Sequence, residues 1–337
     1  MLRPLLLLSA GAGLAISIAL IAIYGFADIG LAIAGAGWGM VAVVAFHFLQ
    51  MVFSAEAWRK VLPPSSAAAL PLMMGLRWIR ESVNALLPVA QIGGEFVGAR
   101  LLASHGVPLS AAGAGVTVDL SMEMVSQIIF TLFGIGLVMI RPHEAEITQW
   151  ILGATLAAAA VVIAFVLTQR FGLFRLIERG LIRFAHLTGW SIWGEVQGLH
   201  EAIVAIYREP RRLGLACGHH LISWLLGGIE VMLALHFLGV DVDLRECLII
   251  ESLGQAFRAV GFAIPGSLGV QEGGYILVCG LLGLGPQAAI ELSLVKRIRE
   301  VVLGVPGLIA WQIIEGRRLL GHVVPGGAKR SSSELTS

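Results

Sequence analysis

The sequence predicts an all-α, polytopic integral membrane protein with two inverted-topology repeats, each containing a broken or re-entrant helical segment. Three observations carry that expectation. Of 337 residues, 57% are hydrophobic and only 13% are charged, about half the charged share of a soluble domain. Between Arg3 and Arg59 the only charged side chains are Asp28 and Glu56, and a water-soluble core of that length would need charge on an outer face. Finally, two apolar segments interrupted by proline, glycine and charge recur far apart in the chain. This composition excludes an ordinary cytosolic protein. It also excludes disorder, which needs low hydrophobicity and high net charge.

The elements follow in chain order. A span needs about 20 apolar residues, and the runs 5–25, 37–55, 111–140, 149–168, 213–238 and 292–314 supply them. The start, Met1-Leu-Arg-Pro, has the charge order of a secretory signal. Its apolar run is nearer a full span than a signal core, so a retained first helix is expected. Segments 72–104 and 248–284 each hold two stretches too short to cross, joined at Leu87-Pro88 and Ile264-Pro265. Broken helices at membrane depth are tolerated only where protein or a water-filled cavity covers the freed backbone. Pro88, Gly93 and Gly94 mark the first break, and Pro265, Gly266 and Gly269 the second.

Outside the spans, residues 170–211 read as a cytoplasmic connector. Arg175, Arg179 and Arg183 recur every four residues beside Phe171, Phe174, Leu181 and Phe184, as in a basic amphipathic helix on a lipid surface; a solvated connector is the plain alternative. Residues 319–337 form a polar cytoplasmic tail, and 1–318 a single transmembrane domain with repeat halves around 72–140 and 248–314. The net charge of +1 says little as a sum, because placement sets orientation. Arg59, Lys60, Arg208, Arg211, Arg212, Arg317 and Arg318 fall on one side of this arrangement, against Arg141 and Arg245 on the other. The positive-inside rule then puts both termini in the cytoplasm.

Residues 83–125 laid on 260–302, an offset of 177, share nine identities. Among them are Pro88/Pro265, Glu95/Glu272 and Glu123/Glu300. Each broken segment thus has a proline, a glutamate seven residues on, and a second glutamate 28 residues after that. Three spans separate the copies, and an odd number inverts the second. Interrupted segments at matching places in two inverted halves point to a midplane binding site; a duplication without a transport role is the alternative.

The charges that remain inside the apolar segments cluster at those places. Glu95, Arg100, Asp119 and Glu123 lie in and after the first break, and Glu272, Lys296, Arg297 and Glu300 in and after the second. A charge at a helix centre costs about 2.5–3.5 kcal/mol on insertion, so these groups must pair or face an aqueous cavity. Carboxylates from one half and cations from the other suit a zwitterionic or anionic head group. Interior salt bridges that only lock helices are the bland reading. Asp119/Glu123 and Lys296/Glu300 are each one turn apart and share a helix face.

Other polar residues carry less. His219 and His220 are adjacent and point about 100° apart in a helix, so they cannot chelate one ion, and no metal is expected. Glu230 stands alone mid-span. His47 and Glu251 fall near span ends or against polar partners. Cys217, Cys247 and Cys279 show neither metal nor disulfide spacing. No nucleophile elbow, zinc motif, phosphate loop or nucleotide fold is present, so neither a cofactor, an enzymatic activity nor a nucleic-acid partner is expected.

The run Arg80-Glu-Ser-Val-Asn-Ala-Leu-Leu-Pro88-Val-Ala-Gln91-Ile-Gly93-Gly94-Glu95, continuing to Arg100, resembles the lysylphosphatidylglycerol synthase transmembrane (flippase-like) family. So does Ile264-Pro265-Gly266-Ser-Leu-Gly269-Val-Gln271-Glu272-Gly273-Gly274 with the later Ser293-Leu-Val-Lys296-Arg297. Within it, Gln91-Ile-Gly-Gly and Val118-Asp119-Leu-Ser-Met-Glu123 look most like the hopanoid-biosynthesis-associated membrane proteins. The resemblance covers about residues 5–318. It implies an inner-membrane protein related to ones that flip aminoacylated phospholipid. The synthases' cytosolic transferase domain is not among these 337 residues, so lipid modification is not implied. The expectation is a translocase for a hopanoid or an anionic phospholipid, with the eight charged residues above as the substrate site. A scaffold that recruits lipid-biosynthesis enzymes is the alternative, and a polyprenoid-acting enzyme is a third.

Overall fold

The structure is a computed structural model that describes residues 37–63, 66, 68–87, 93–140, 198–260, 267 and 269–321. Among the described residues the fold is all helix: α1 (Trp38–Val61), α2 (Leu70–Leu86), α3 (Gly93–Ala103), α4 (Leu109–Met139), α5 (Leu199–Tyr207), α6 (Pro210–Phe237), α7 (Leu244–Val260), α8 (Val270–Leu281) and α9 (Pro286–Gly321). The expected spans 5–25 and 149–168, the break residues Pro88, Pro265 and Gly266, the arginine-rich part of the connector and the tail from 322 lie outside the described residues.

Among the described residues, three helices are long and apolar enough to cross a membrane: α1, α4 and α6, of 24, 31 and 28 residues. They match the runs expected at 37–55, 111–140 and 213–238. The run at 292–314 lies within α9, which begins earlier and reaches 36 residues. Charges at 296, 297, 299 and 300 make α9 too polar to count as an apolar span. Proline opens several helices, at Pro210 of α6 and Pro286 of α9 and in the first turn of α2. Its fixed φ suits a first turn, whose N–H groups have no intrahelical acceptor anyway.

Each interrupted segment is two helices. α2 and α7 are 17 residues long, while α3 and α8 have 11 and 12. At 1.5 Å per residue, α3 and α8 reach only about 18 Å, short of a hydrocarbon core of about 30 Å. The 177-residue offset of the sequence carries over to helix order. Residue 93 opens α3 and residue 270 opens α8; residue 109 opens α4 and residue 286 opens α9. α1 to α4 thus form one quartet, and α6 to α9 a second in the same order.

Packing follows that order. α2 packs on α3 and α7 on α8; between quartets, α1 runs along α6, α2 along α9, and α4 along α7 and α6. The indole N–H of Trp78 on α2 donates to the Leu303 carbonyl of α9 at 2.8 Å. The Gln127 amide of α4 donates to the Gln255 carbonyl of α7 at 2.9 Å. One apolar cluster, around Trp58, Met73, Leu76, Leu101 and Leu102, knits α1 to α4 with α5. A second, around Val231, Leu235, Ile249, Ile250, Leu292 and Val295, holds the other quartet. Many large apolar side chains face outward, among them Phe96, Leu277 and Ile309, as expected of surfaces that meet lipid rather than water.

Candidate functional site

Between the quartets lies a cavity of about 280 Å³ whose walls carry charge of both signs. Arg77, Arg80 and Glu81 of α2, Glu95 of α3, Glu123 of α4, Glu251 and Arg258 of α7, and Arg299 and Glu300 of α9 all line it. His47, Gln50 and Ser54 of α1 complete the wall with Ser223 and Trp224 of α6.

The first-quartet cluster is built around α2. Arg77, Arg80, Glu81 and Asn84 fall three and four residues apart, so they share one helix face. Arg80 is almost fully buried. Its Nε lies 2.5 Å from Glu95 Oε2, its Nη1 2.5 Å from Asp119 Oδ2 and its Nη2 3.3 Å from Glu123 Oε2. Its planar guanidinium sits over the Trp58 ring, 5.4 Å from the centroid, a favourable stacking for a desolvated cation. Arg77 donates to both Glu123 oxygens, at 3.0 and 2.6 Å, and to Glu81 at 2.7 Å. Two guanidiniums therefore serve four carboxylates.

Glu95 is positioned by the break. It stands third in α3, where a carboxylate is favoured by the helix N-terminal dipole. Asn84 of α2 ties the junction, accepting from the Gly94 N–H at 2.8 Å and donating to Glu95 Oε1 at 3.1 Å. A Cβ on Gly94 would collide with the Arg80 carbonyl, so only glycine lets α3 come this close to α2. Glu272 holds the same third position in α8, and it accepts from the Gly269 N–H at 2.7 Å. That is the return bond of a capping box, with Gly269 at a φ of 80°, which glycine adopts without strain.

The second-quartet cluster is spread along α9. Lys296 pairs with Glu251 of α7, and lies 5.7 Å from the Tyr275 ring centroid. Arg297 reaches Glu272 at 3.1 Å and Glu300 at 3.0 Å. Glu300 also pairs with Arg258 of α7. Arg299 pairs with Glu230 of α6. Glu230 also holds the Gln50 amide at 2.5 Å and His47 Nδ1 at 2.9 Å.

The structure thus brings together five of the eight substrate-site residues expected from sequence, in or directly behind the cavity wall. Glu95, Glu123 and Glu300 line it, and Asp119 and Lys296 stand buried behind it. Arg100 does not belong: its half-exposed side chain turns to Glu315 of α9. Glu272 and Arg297 bind one another at the α8 N-terminus, with Glu272 committed to capping. Lys296 and Glu300, one turn apart, take different partners instead of acting as a pair. Each half also carries both signs, with Arg77 and Arg80 among the carboxylates of the first and Glu230, Glu251 and Glu272 among the cations of the second. Sequence reasoning passed over Arg77, Arg80 and Glu81 as site residues, and their spacing on α2 was the available signal. Glu230, noted as an isolated acid, proves to be the hub between α1, α6 and α9.

Asp119, Glu123 and His220 offer ligand atoms within 4.8 Å of one another, the one such group among the described residues. His220 Nε2 lies 2.9 Å from Asp119 Oδ1. Arg77 and Arg80 already occupy the other carboxylate oxygens, and a metal ion there would face two guanidiniums at close range. The trio does not fit a metal centre.

A helical membrane protein with a cavity walled by charges of both signs between two like-ordered quartets is the class these features define. The model for the lysylphosphatidylglycerol synthase transmembrane region matches residues 11–307, and the chain belongs to that family. A UPF0104 membrane protein of Methanothermobacter thermautotrophicus is 26% identical over 243 residues, covering 64% of this chain and 67% of its own length. No solved structure matches the chain.

Proposed function

We propose that this protein is a non-enzymatic lipid translocase of a bacterial inner membrane, with both termini cytoplasmic. The cavity of about 280 Å³, walled by glutamates and arginines among membrane-spanning helices, carries the reading. A zwitterionic or anionic head group exchanges salt bridges with such a wall instead of losing its charge partners, while its tails remain in lipid. That exchange lowers the cost of placing charge at membrane depth. A hopanoid with a polar head or an anionic phospholipid fits this chemistry. On this reading the two quartets are inverted relative to one another and open the cavity to each leaflet in turn. Glu95, Glu123 and Glu300 contact the head group, and Asp119 and Lys296 hold their partners in place. The relationship to the lysylphosphatidylglycerol synthase transmembrane region supports a lipid substrate.

The test is reconstitution into vesicles of phosphatidylethanolamine and phosphatidylglycerol carrying a head-group-labelled fluorescent phospholipid or hopanoid. A membrane-impermeant quencher bleaches only the outer leaflet without transport. Protein-dependent quenching of the inner-leaflet label is expected for at least one lipid. Quenching that stops at the outer leaflet for all of them would overturn the proposal in favour of a scaffold. Glu95→Gln is expected to lower the rate at unchanged folded yield.

A further inference from the structure

His47 stands apart from the other charged groups of the cavity. It is held on α1 between carboxylates of two other helices. Its Nδ1 lies 2.9 Å from Glu230 Oε2 on α6, and its Nε2 lies 3.6 Å from Glu81 Oε2 on α2. A neutral imidazole has one N–H and one lone pair, so in that state one ring nitrogen would turn a lone pair toward an anion. Only the imidazolium offers a proton to both sides.

The remaining groups around it are accounted for. From α9, Arg299 pairs with Glu230; from α2, Arg77 holds Glu81 but is shared with Glu123 of α4. Lys296 is engaged by Glu251 of α7. Glu81 thus shares its cation Arg77 with Glu123, and its side chain is 31% exposed. Both His47 and Glu81 line the cavity, which gives a proton an aqueous route to the ring.

We propose that His47 binds the coupling proton of the transport cycle, so that the protein carries a proton as well as a lipid. The inference rests on the translocase reading. Protonated His47 fastens α2 of the first quartet to α6 of the second across α1; loss of the proton frees the Glu81 side and unlocks the two quartets. Histidine titrates in the range where such a switch works.

Two measurements test it separately. Nitrogen-15 NMR of histidine-labelled full-length protein in lipid, with the His47 signals assigned by their loss in His47→Gln, reads the ring's charge directly and needs no transport. His47 is expected to change from imidazolium to neutral between about pH 5 and pH 8, and in Glu81→Gln the change should move to lower pH, because an anion favouring the charged form is gone. A ring that keeps one charge state throughout overturns the proposal whether or not the protein flips lipid. In the quenching assay, an imposed pH gradient is expected to alter the wild-type rate several-fold and to leave His47→Gln unaffected. Flipping that ignores the gradient in the wild type, or follows it equally in His47→Gln, refutes coupling while leaving the translocase standing.

Discussion

In the first quartet both clustered cations stand on α2 and, Glu81 apart, the acids gather on α3 and α4; in the second the acids other than Glu300 are dealt out over α6, α7 and α8 and the cations other than Arg258 crowd onto α9. Positions related by the 177-residue offset show what is kept and what is not. Glu95 matches Glu272 and both sit third in their short helix, where the backbone dipole itself favours a carboxylate. Asp119 matches Lys296, and Glu81 matches Arg258, with the sign reversed each time. The charge favoured by the backbone has stayed, whereas charge held only by partners has stayed at Glu123/Glu300 and reversed at the other two pairs. The second difference is concentration. Arg77 and Arg80 each meet three carboxylates, whereas no single cation of α9 has that burden.

The comparison predicts unequal sensitivity. Arg80→Met leaves Glu95 and Asp119 buried beside a much weakened positive field. It is expected to cost about 3–5 kcal/mol, read as a lowered unfolding temperature and folded yield in detergent. Arg297→Met should cost clearly less, because Glu272 keeps its bond from Gly269 and Glu300 keeps Arg258. Equal losses would break the contrast between a two-arginine hub and a distributed network.

Arg299→Met should come next, at about 3 kcal/mol, since Glu230 retains Gln50 and His47. Adding Glu230→Leu is expected to restore most of that stability while abolishing transport, because a buried pair replaced by apolar groups is often neutral. A double variant no more stable than the single one would show that Glu230 is held mainly by α1. Arg100→Ala is expected to cost about 1–3 kcal/mol, because the half-exposed Arg100 is the cation of Glu315, whose side chain is only 9% exposed and would be left unpaired. Gly94→Ala should cost about 1–3 kcal/mol through overpacking against the Arg80 carbonyl. Gly273→Ala on α8, where the added Cβ meets open space, is expected to be near neutral in the same unfolding assay.

Hydropathy located α1, α4 and α6 closely because a span is a property of consecutive residues. Pro88, Gly93 and Gly94 at the first junction also declared a break, and the repeated proline–glutamate spacing declared its counterpart. The pairing was harder to read. Lys296 and Glu300 share a face by local spacing, yet one finds Glu251 and the other Arg258, residues more than 40 positions earlier in the chain. Nothing local to Arg100 tells it from Arg80, although the first is half-exposed and the second is buried on Trp58. The three-and-four spacing of Arg77, Arg80, Glu81 and Asn84 did hold a signal, and reading charge by helix face rather than by segment recovers it. His47 carried none. Its importance comes from two carboxylates that arrive 34 and 183 residues later.

The crowding of charge on α9 bears on how the chain is made. Four charges within five residues, at about 2.5–3.5 kcal/mol each on insertion, leave α9 poorly suited to enter a bilayer unaided. Glu230, Glu251 and Glu272 all precede it, so its counter-charges have already been synthesised when α9 leaves the ribosome. α9 therefore inserts against an assembled surface rather than into bare lipid, and membrane integration and tertiary assembly become one step.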